Sequence, residues 1–106
     1  MTWYVASLIF ESVNIDTPDQ ESLWEERLIL LAAESIDAAR KIATERRDIG
    51  STAYSTDRGG QVHWIFRVIE RIYEIQDEEL QNGTEVFCRF LRDSEVKILL
   101  TKFPDD

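Results

Sequence analysis

The sequence predicts an α+β domain: a mainly antiparallel sheet with one helix packed on one of its faces. Three observations predict it. Residues 3–13 and 62–76 are rich in β-branched and aromatic side chains and contain neither Gly nor Pro. Residues 28–31, Leu-Ile-Leu-Leu, form an unbroken aliphatic run of the kind carried by a strand buried on both sides. Residues 35–48 combine a helical apolar spacing with end signals that suit a helix.

Taken in order, residues 3–13 read as a strand. Tyr4, Ala6, Leu8 and Phe10 form one apolar face, while Trp3, Val5, Ile9 and Val13 form a second, broken by Ser7 and Glu11. Residues 14–21 read as a loop, since Asn14, Asp16, Thr17 and Pro18 are turn formers and Pro18 has no amide to donate. Residues 22–33 resume the apolar pattern and complete an antiparallel hairpin, with Trp24-Glu25-Glu26-Arg27 as its exposed end.

The helix of residues 35–48 starts at Ser35, whose hydroxyl can accept an orphan amide of the first turn. Asp37 near the start and Arg46 and Arg47 near the end complement the helix dipole. Ile36, Ala39, Ile42 and Ala43 make a narrow, Ala-rich stripe that should lie close against the sheet, and Gly50 stands at a suitable terminating position. Residues 51–56 suggest a short edge strand, followed by a turn at Asp57-Arg58-Gly59-Gly60.

In residues 62–76, Val62, Trp64, Phe66 and Val68 alternate as one face of a strand. Ile69, Tyr73 and Ile75 then carry the apolar side, with Ile72 out of step, and a one-residue bulge accounts for the switch. A helix over 66–76 also fits the spacing, but β-branched and aromatic content favours the strand. Asp77 to Gly83 reads as an acidic loop ending in a hairpin-type Asn-Gly. In residues 84–92, Val86, Cys88 and Phe90 alternate with Phe87, Arg89 and Leu91, as in a strand pairing back on 62–76. Residues 96–103 read as a further strand or a packed tail. The expected order is therefore β-β-α-β-β with one or two extra short strands, in a single domain over residues 1–106.

Composition narrows the function classes. A formal net charge of −9 opposes phosphate backbones and anionic membranes. No local patch offsets it: across 34–48, Arg40, Lys41, Arg46 and Arg47 face Glu34, Asp37, Glu45 and Asp48. The expectation is no nucleic acid and no membrane partner. Cys88 is the one cysteine, so no disulfide forms within the chain, and the opening apolar stretch is short and lacks a basic leader. A cytoplasmic location is the expectation.

The residues offer little catalytic chemistry. His63 is the one histidine, which excludes a multi-histidine metal site from one chain. In a strand, it points away from the Trp64 face. An ordinary strand histidine is the first interpretation, and a general base paired with a carboxylate is the alternative. Cys88, between Phe87 and Arg89, reads as a small buried core residue rather than a reactive thiol. Asp77, Glu78 and Glu79 lack the spacing and interior glycine of a calcium loop. Gly59-Gly60 matches neither a phosphate loop nor a dinucleotide fingerprint. No catalytic residue, metal ligand or cofactor follows from the sequence.

Surface is what remains. Trp3, Trp24 and Trp64 each lie in or at the end of a strand. A helix covers one sheet face, so the second must be solvated or covered by something else. Contiguous exposed apolar surface marks association sites.

Four segments together resemble the bacterial DUF4288 family. They are Trp3-Tyr4-Val5-Ala6-Ser7-Leu8-Ile9-Phe10-Glu11, the run from Glu25 to Ser35, the strand Val62-His63-Trp64-Ile65-Phe66, and the segment from Asn82 to Leu91. The last, Asn-Gly-Thr-Glu-Val-Phe-Cys-Arg-Phe-Leu, is the most specific. Residues 96–103 lie beyond the match. The resemblance implies a stand-alone domain and transfers no catalytic residue, since the family's function is unknown. Glu85 and Arg89, inside the matched segment, share strand parity and so one face, as a polar contact site or a structural ion pair.

The candidate interaction surface is therefore Trp3, Trp24, Trp64, Glu85 and Arg89. The expected function is a non-enzymatic binding or assembly module acting through a sheet face, as a homodimer or with a protein partner. The alternatives are an immunity-type protein that neutralises a toxin, whose acidic surface would steer onto a basic enzyme, and an enzyme using His63 with a carboxylate.

Overall fold

A computed structural model describes residues 1–17, 21–47, 53–55 and 61–101. The elements are β1 (Thr2–Asn14), β2 (Trp24–Ala33), α1 (Ile36–Glu45), β3 (Ala53–Ser55), β4 (Gln61–Glu74) and α2 (Asp93–Leu100). Three long antiparallel strands carry the sheet, and the three-residue β3 extends one edge, in the order β2-β1-β4-β3. The expected interruption at Pro18, the helix end at Gly50 and the turn at Asp57-Arg58-Gly59-Gly60 lie outside the described residues, as does Phe103.

β1 is central because both its faces are apolar. It pairs with β2 from Thr2↔Ala33 to Glu11↔Trp24, and with β4 from Tyr4↔Glu74 to Asn14↔Val62. Tyr4, Ala6, Leu8 and Phe10 point to the helix side and are buried against Leu31, Ala33 and Ile72, with Ile29, Trp64, Phe66 and Ile69 packed around them. Phe10 is fully buried and meets the Phe66 ring edge-on at 5.7 Å. The Arg27 guanidinium lies 4.6 Å from the centre of the Phe10 ring, and Arg27 also pairs with Glu25.

α1 follows β2 after a two-residue turn and lies on this face. The Ser35 hydroxyl accepts the Ala38 amide at 3.1 Å, as its type and position predict. Ala39 and Ala43 are fully buried, so the small side chains of the stripe let the helix approach the sheet closely. The helix is shorter than its sequence pattern: it ends at Glu45, with Arg46 as its cap rather than within its last turn.

Four expectations are corrected here. β4 carries two register shifts rather than one, between the partners of Ser7 and Leu8 and between those of Ile9 and Phe10. Val62, Trp64, Phe66, Ile69 and Ile72 all reach the helix side as a result, while Val68 turns to the other face. Residues 84–92 form no strand: a side-chain anchor, described below, lays them over the sheet instead of beside it. Residues 93–100 form a second helix, where a strand or packed tail was expected. The Glu95 carboxylate accepts the Arg92 amide at 3.0 Å, and Lys97 pairs with Asp93 one turn away at 2.9 Å, both of which favour helix. Finally, Leu28 and Leu30 are half-exposed, not buried on both sides, because they point to the sheet face away from α1, whereas Leu31 and Ala33 of the same strand are buried on the helix side.

Phe10→Ala removes the largest fully buried ring and leaves a cavity beneath Phe66 and Arg27. It should destabilise the fold by about 3–5 kcal/mol, measured as a lower urea midpoint with an unchanged m-value.

Candidate functional site

The sheet face away from α1 carries Trp3, Val5, Ser7, Ile9 and Glu11 of β1. Beside them stand Ala32, Leu30, Leu28, Glu26 and Trp24 of β2, and Tyr73, Arg71, Val68 and Ile65 of β4. One end of this face is covered by the chain itself. The Asn82-Gly83 turn reverses the backbone, with Gly83 at φ +88° and the Thr84 amide donating to the Gln81 carbonyl at 3.0 Å. No hairpin follows. Instead, the Tyr73 hydroxyl donates to Glu85 at 2.8 Å, and Phe87 packs edge-on to the Tyr73 ring at 5.8 Å. The Arg71 and Arg89 guanidiniums lie 5.4 and 5.9 Å from the centre of the Phe87 ring.

Residues 85, 87 and 89 thus share a side, as their parity predicts, but that side meets a sheet face rather than a neighbouring strand. Among the described residues no ion pair joins Glu85 to Arg89 or to the sheet; a phenol and an aromatic ring hold them. The opposite parity points outward. Cys88 is exposed rather than a core residue, Val86 is partly exposed and Phe90 is fully exposed. Beneath the anchored segment, Val5 is buried, and Ile75, whose amide donates to the Trp3 carbonyl at 2.9 Å, is buried as well.

The rest of the face is open. Leu28, Leu30, Val68 and Trp24 are each about half-exposed, at 51, 50, 49 and 54%. They flank Val5, Ser7, Ile9 and Glu11 through direct cross-strand pairing. Two polar ties cross the strands among them. The fully buried Ser7 hydroxyl donates to Glu26 at 2.6 Å. Glu11 accepts from the Ser22 hydroxyl at 2.6 Å and from Arg67, a residue of the second register shift, at 2.9 Å. The Ser22 hydroxyl, with Arg67 beside it, holds the Glu11 carboxyl below the usual glutamate range.

The three tryptophans do not form one surface. Trp3 and Trp24 belong to this face, at opposite ends of the β1–β2 ladder, whereas Trp64 packs against the core on the helix side. His63 pairs with Val13 and points away from the Trp64 face as expected; its Nε2 is buried and has no hydrogen-bond partner among the described residues. Asp77 accepts the Thr84 hydroxyl at 3.1 Å, which ties the acidic loop to its turn. No group of three or more His, Cys, Asp or Glu side chains that could hold a metal is found among the described residues. Among them, too, no helix is long and apolar enough to cross a membrane. Leu28, Leu30, Val68 and Phe87 were not named among the surface residues; the double-sided apolar run 28–31 was the signal for Leu28 and Leu30, and equal parity with Glu85 and Arg89 the signal for Phe87.

On the helix side, a groove of about 520 Å³ opens beside β2. Leu8, Phe10, Ile29, Leu31 and Ile42 line it, with Arg27 and Arg46 among its walls.

This arrangement, a hairpin, a helix and a long third strand followed by an anchored C-terminal segment, is that of a small α+β family domain. The model of DUF4288, a domain of unknown function, matches residues 3–88, and the chain belongs to that family. No curated protein and no solved structure matches it.

Hydrogen bonding to Glu85, with burial and its charge, raises the Tyr73 phenol above the ordinary tyrosine value. A raised phenol stabilises the anchored state at pH values below the ordinary tyrosine pKa, and that contribution disappears as pH rises through the raised value. Glu85→Gln should lower the Tyr73 pKa towards the ordinary value, read from its ring carbon shifts in an NMR titration. The lowered Glu11 pKa works in the opposite sense: its contribution is present above the usual glutamate range and lost as pH falls through the lowered value. Wild type and Glu11→Gln should therefore differ in Tm at neutral pH and converge in acid.

Proposed function

We propose that this chain is a non-enzymatic binding or assembly module acting through the sheet face away from α1, in the cytoplasm of a bacterial cell. The observation that carries this proposal is the open half of that face, where Leu28, Leu30, Val68 and Trp24 stand half-exposed around Ile9. Apolar groups on a pleated sheet are an energetic burden in water, at roughly 25 cal/mol per Å², and a partner that covers them gains that amount. The Ser7–Glu26 and Glu11–Arg67 ties keep the strands in register, so the surface is formed before a partner arrives. The net charge of −9 suits a partner with a basic surface. An immunity-type protein that neutralises a basic toxin is one form of this proposal.

The test is site-directed photo-cross-linking in cells, with a reactive amino acid at position 28, 68 or 41 of the full chain. Positions 28 and 68 should give a discrete protein adduct. Position 41, on the exposed side of α1, should give none, and Trp24→Asp should abolish the adduct at 28 while leaving the circular dichroism spectrum intact. Equal labelling at all three positions, or no adduct at any, contradicts the proposal.

A further inference from the structure

β2 ends the sheet, and its pairing with β1 runs unbroken from Thr2↔Ala33 to Glu11↔Trp24. One step beyond that ladder, the Ser12 amide donates to the Leu23 carbonyl at 2.8 Å. Antiparallel strands alternate hydrogen-bonded and non-hydrogen-bonded pairs. Leu23 therefore turns its backbone towards β1, and so do Glu25, Arg27, Ile29 and Leu31. Glu26, Leu28, Leu30 and Ala32 turn theirs outward. Among the described residues, no hydrogen bond reaches these outward amides and carbonyls. The groove beside β2 is lined by Ile29, Leu30, Leu31 and Ala32, consecutive residues of both faces, so α1 leaves this edge open. Natural sheets blunt their edges with Pro, Lys, bulges or short strands. β3, at the opposite edge, has three residues. β2 has ten, with no Pro, no Lys, no register shift and no charge from Leu28 to Ala33.

We infer that β2 of one copy pairs antiparallel with β2 of a second copy, edge to edge, joining the two sheets into one. The open row of backbone donors and acceptors matches an extended strand. Two identical strands paired antiparallel close about a two-fold axis, so this edge is complementary to itself. Charge selects the register. Centred on Leu30, the pairing sets Glu26 opposite Glu34 of the second copy, like charge against like. Centred on Leu28, it sets Glu26 opposite Leu30. Centred on Ile29, it sets Leu28 opposite Leu30 and Glu26 opposite Ala32, and no like charges are opposed. In this register Leu28 and Leu30 form hydrogen-bonded pairs through their outward backbones. Their half-exposed side chains meet those of the second copy on the face away from α1. Arg27 keeps its contacts with Glu25 and Phe10. The contact uses the strand edge, and Ile9 and Val68 of the open face stay available to a separate partner.

The experiment is sedimentation equilibrium of the full chain from micromolar to high micromolar concentration, with amide hydrogen exchange followed over the same range. The expected result is a dimer in which the Leu28 and Leu30 amides gain protection as concentration rises. Leu28→Lys with Leu30→Lys opposes like charges in both cross-strand pairs and should raise the dimer dissociation constant by about tenfold or more. Leu28→Lys with Leu30→Glu opposes unlike charges there and should recover most of that loss. Both variants should keep the wild-type circular dichroism spectrum; if either does not, the wild-type exchange data decide alone. A monomer throughout the range overturns the inference. So does a dimer whose Leu28 and Leu30 amides exchange as fast as in the monomer, or one that the two variants affect equally. Protection of these amides without dimerisation assigns the edge to the chain's own residues and also overturns it. Cross-linking from position 68, on β4, does not depend on these outcomes, so the proposal for the open face stands or falls separately.

Discussion

The whole structure depends on β1 being apolar on both faces while pairing on both edges. Tyr4 to Leu8 are five consecutive buried residues, so neither face of the sheet can be left bare along that stretch. β2 and β4 satisfy its backbone, and the side chains then dictate layers above and below. On the Tyr4 side, the solution is α1, whose alanines permit close approach. On the Val5 side no helix packs among the described residues, and the chain uses an extended segment fixed by Phe87, Tyr73 and Glu85.

That second cover is short, and its shortness has consequences. It protects the end of the sheet where Val5 and Ile75 lie, and leaves Leu28, Leu30, Val68 and Trp24 half in water. The open region is nevertheless an ordered one. Ser7, buried and hydrogen-bonded to Glu26, and Glu11, bridging Ser22 and Arg67, occupy polar positions among the apolar ones and satisfy groups that would otherwise oppose burial. The face thus keeps these polar groups partnered while its apolar side chains stand half in water.

Much of this fold was legible in the sequence. The hairpin of β1 and β2, the Ser35 cap and the Ala39–Ala43 stripe follow from alternation and helical spacing, and the family match over residues 3–88 agrees with the resemblance read from four segments. What escaped is equally physical. Alternation reports which side chains share a side, not what that side meets, so residues 84–92 look the same whether they join a sheet edge or lie across a sheet face. In β4, Ile72 was out of step with Ile69 because a second shift restores the original parity, and one bulge cannot explain both. A run of aliphatics such as Val96 to Leu100 does not distinguish strand from helix, and here the acidic first turn decided it. Of the candidate surface residues, Glu85 and Arg89 come together as their spacing implies, while the tryptophans separate because they differ in parity and strand.

The account turns on where residues 84–91 lie, because that position determines which part of the second face is left open. The most direct measurement is a set of NOE contacts and amide hydrogen-exchange rates for this segment in solution. Contacts from the Phe87 ring to Tyr73 and Arg71, with fast-exchanging amides at Val86, Cys88 and Phe90, are the predicted result. Slow exchange at alternate amides, with backbone contacts along β4, would place the segment at the sheet edge and contradict the account.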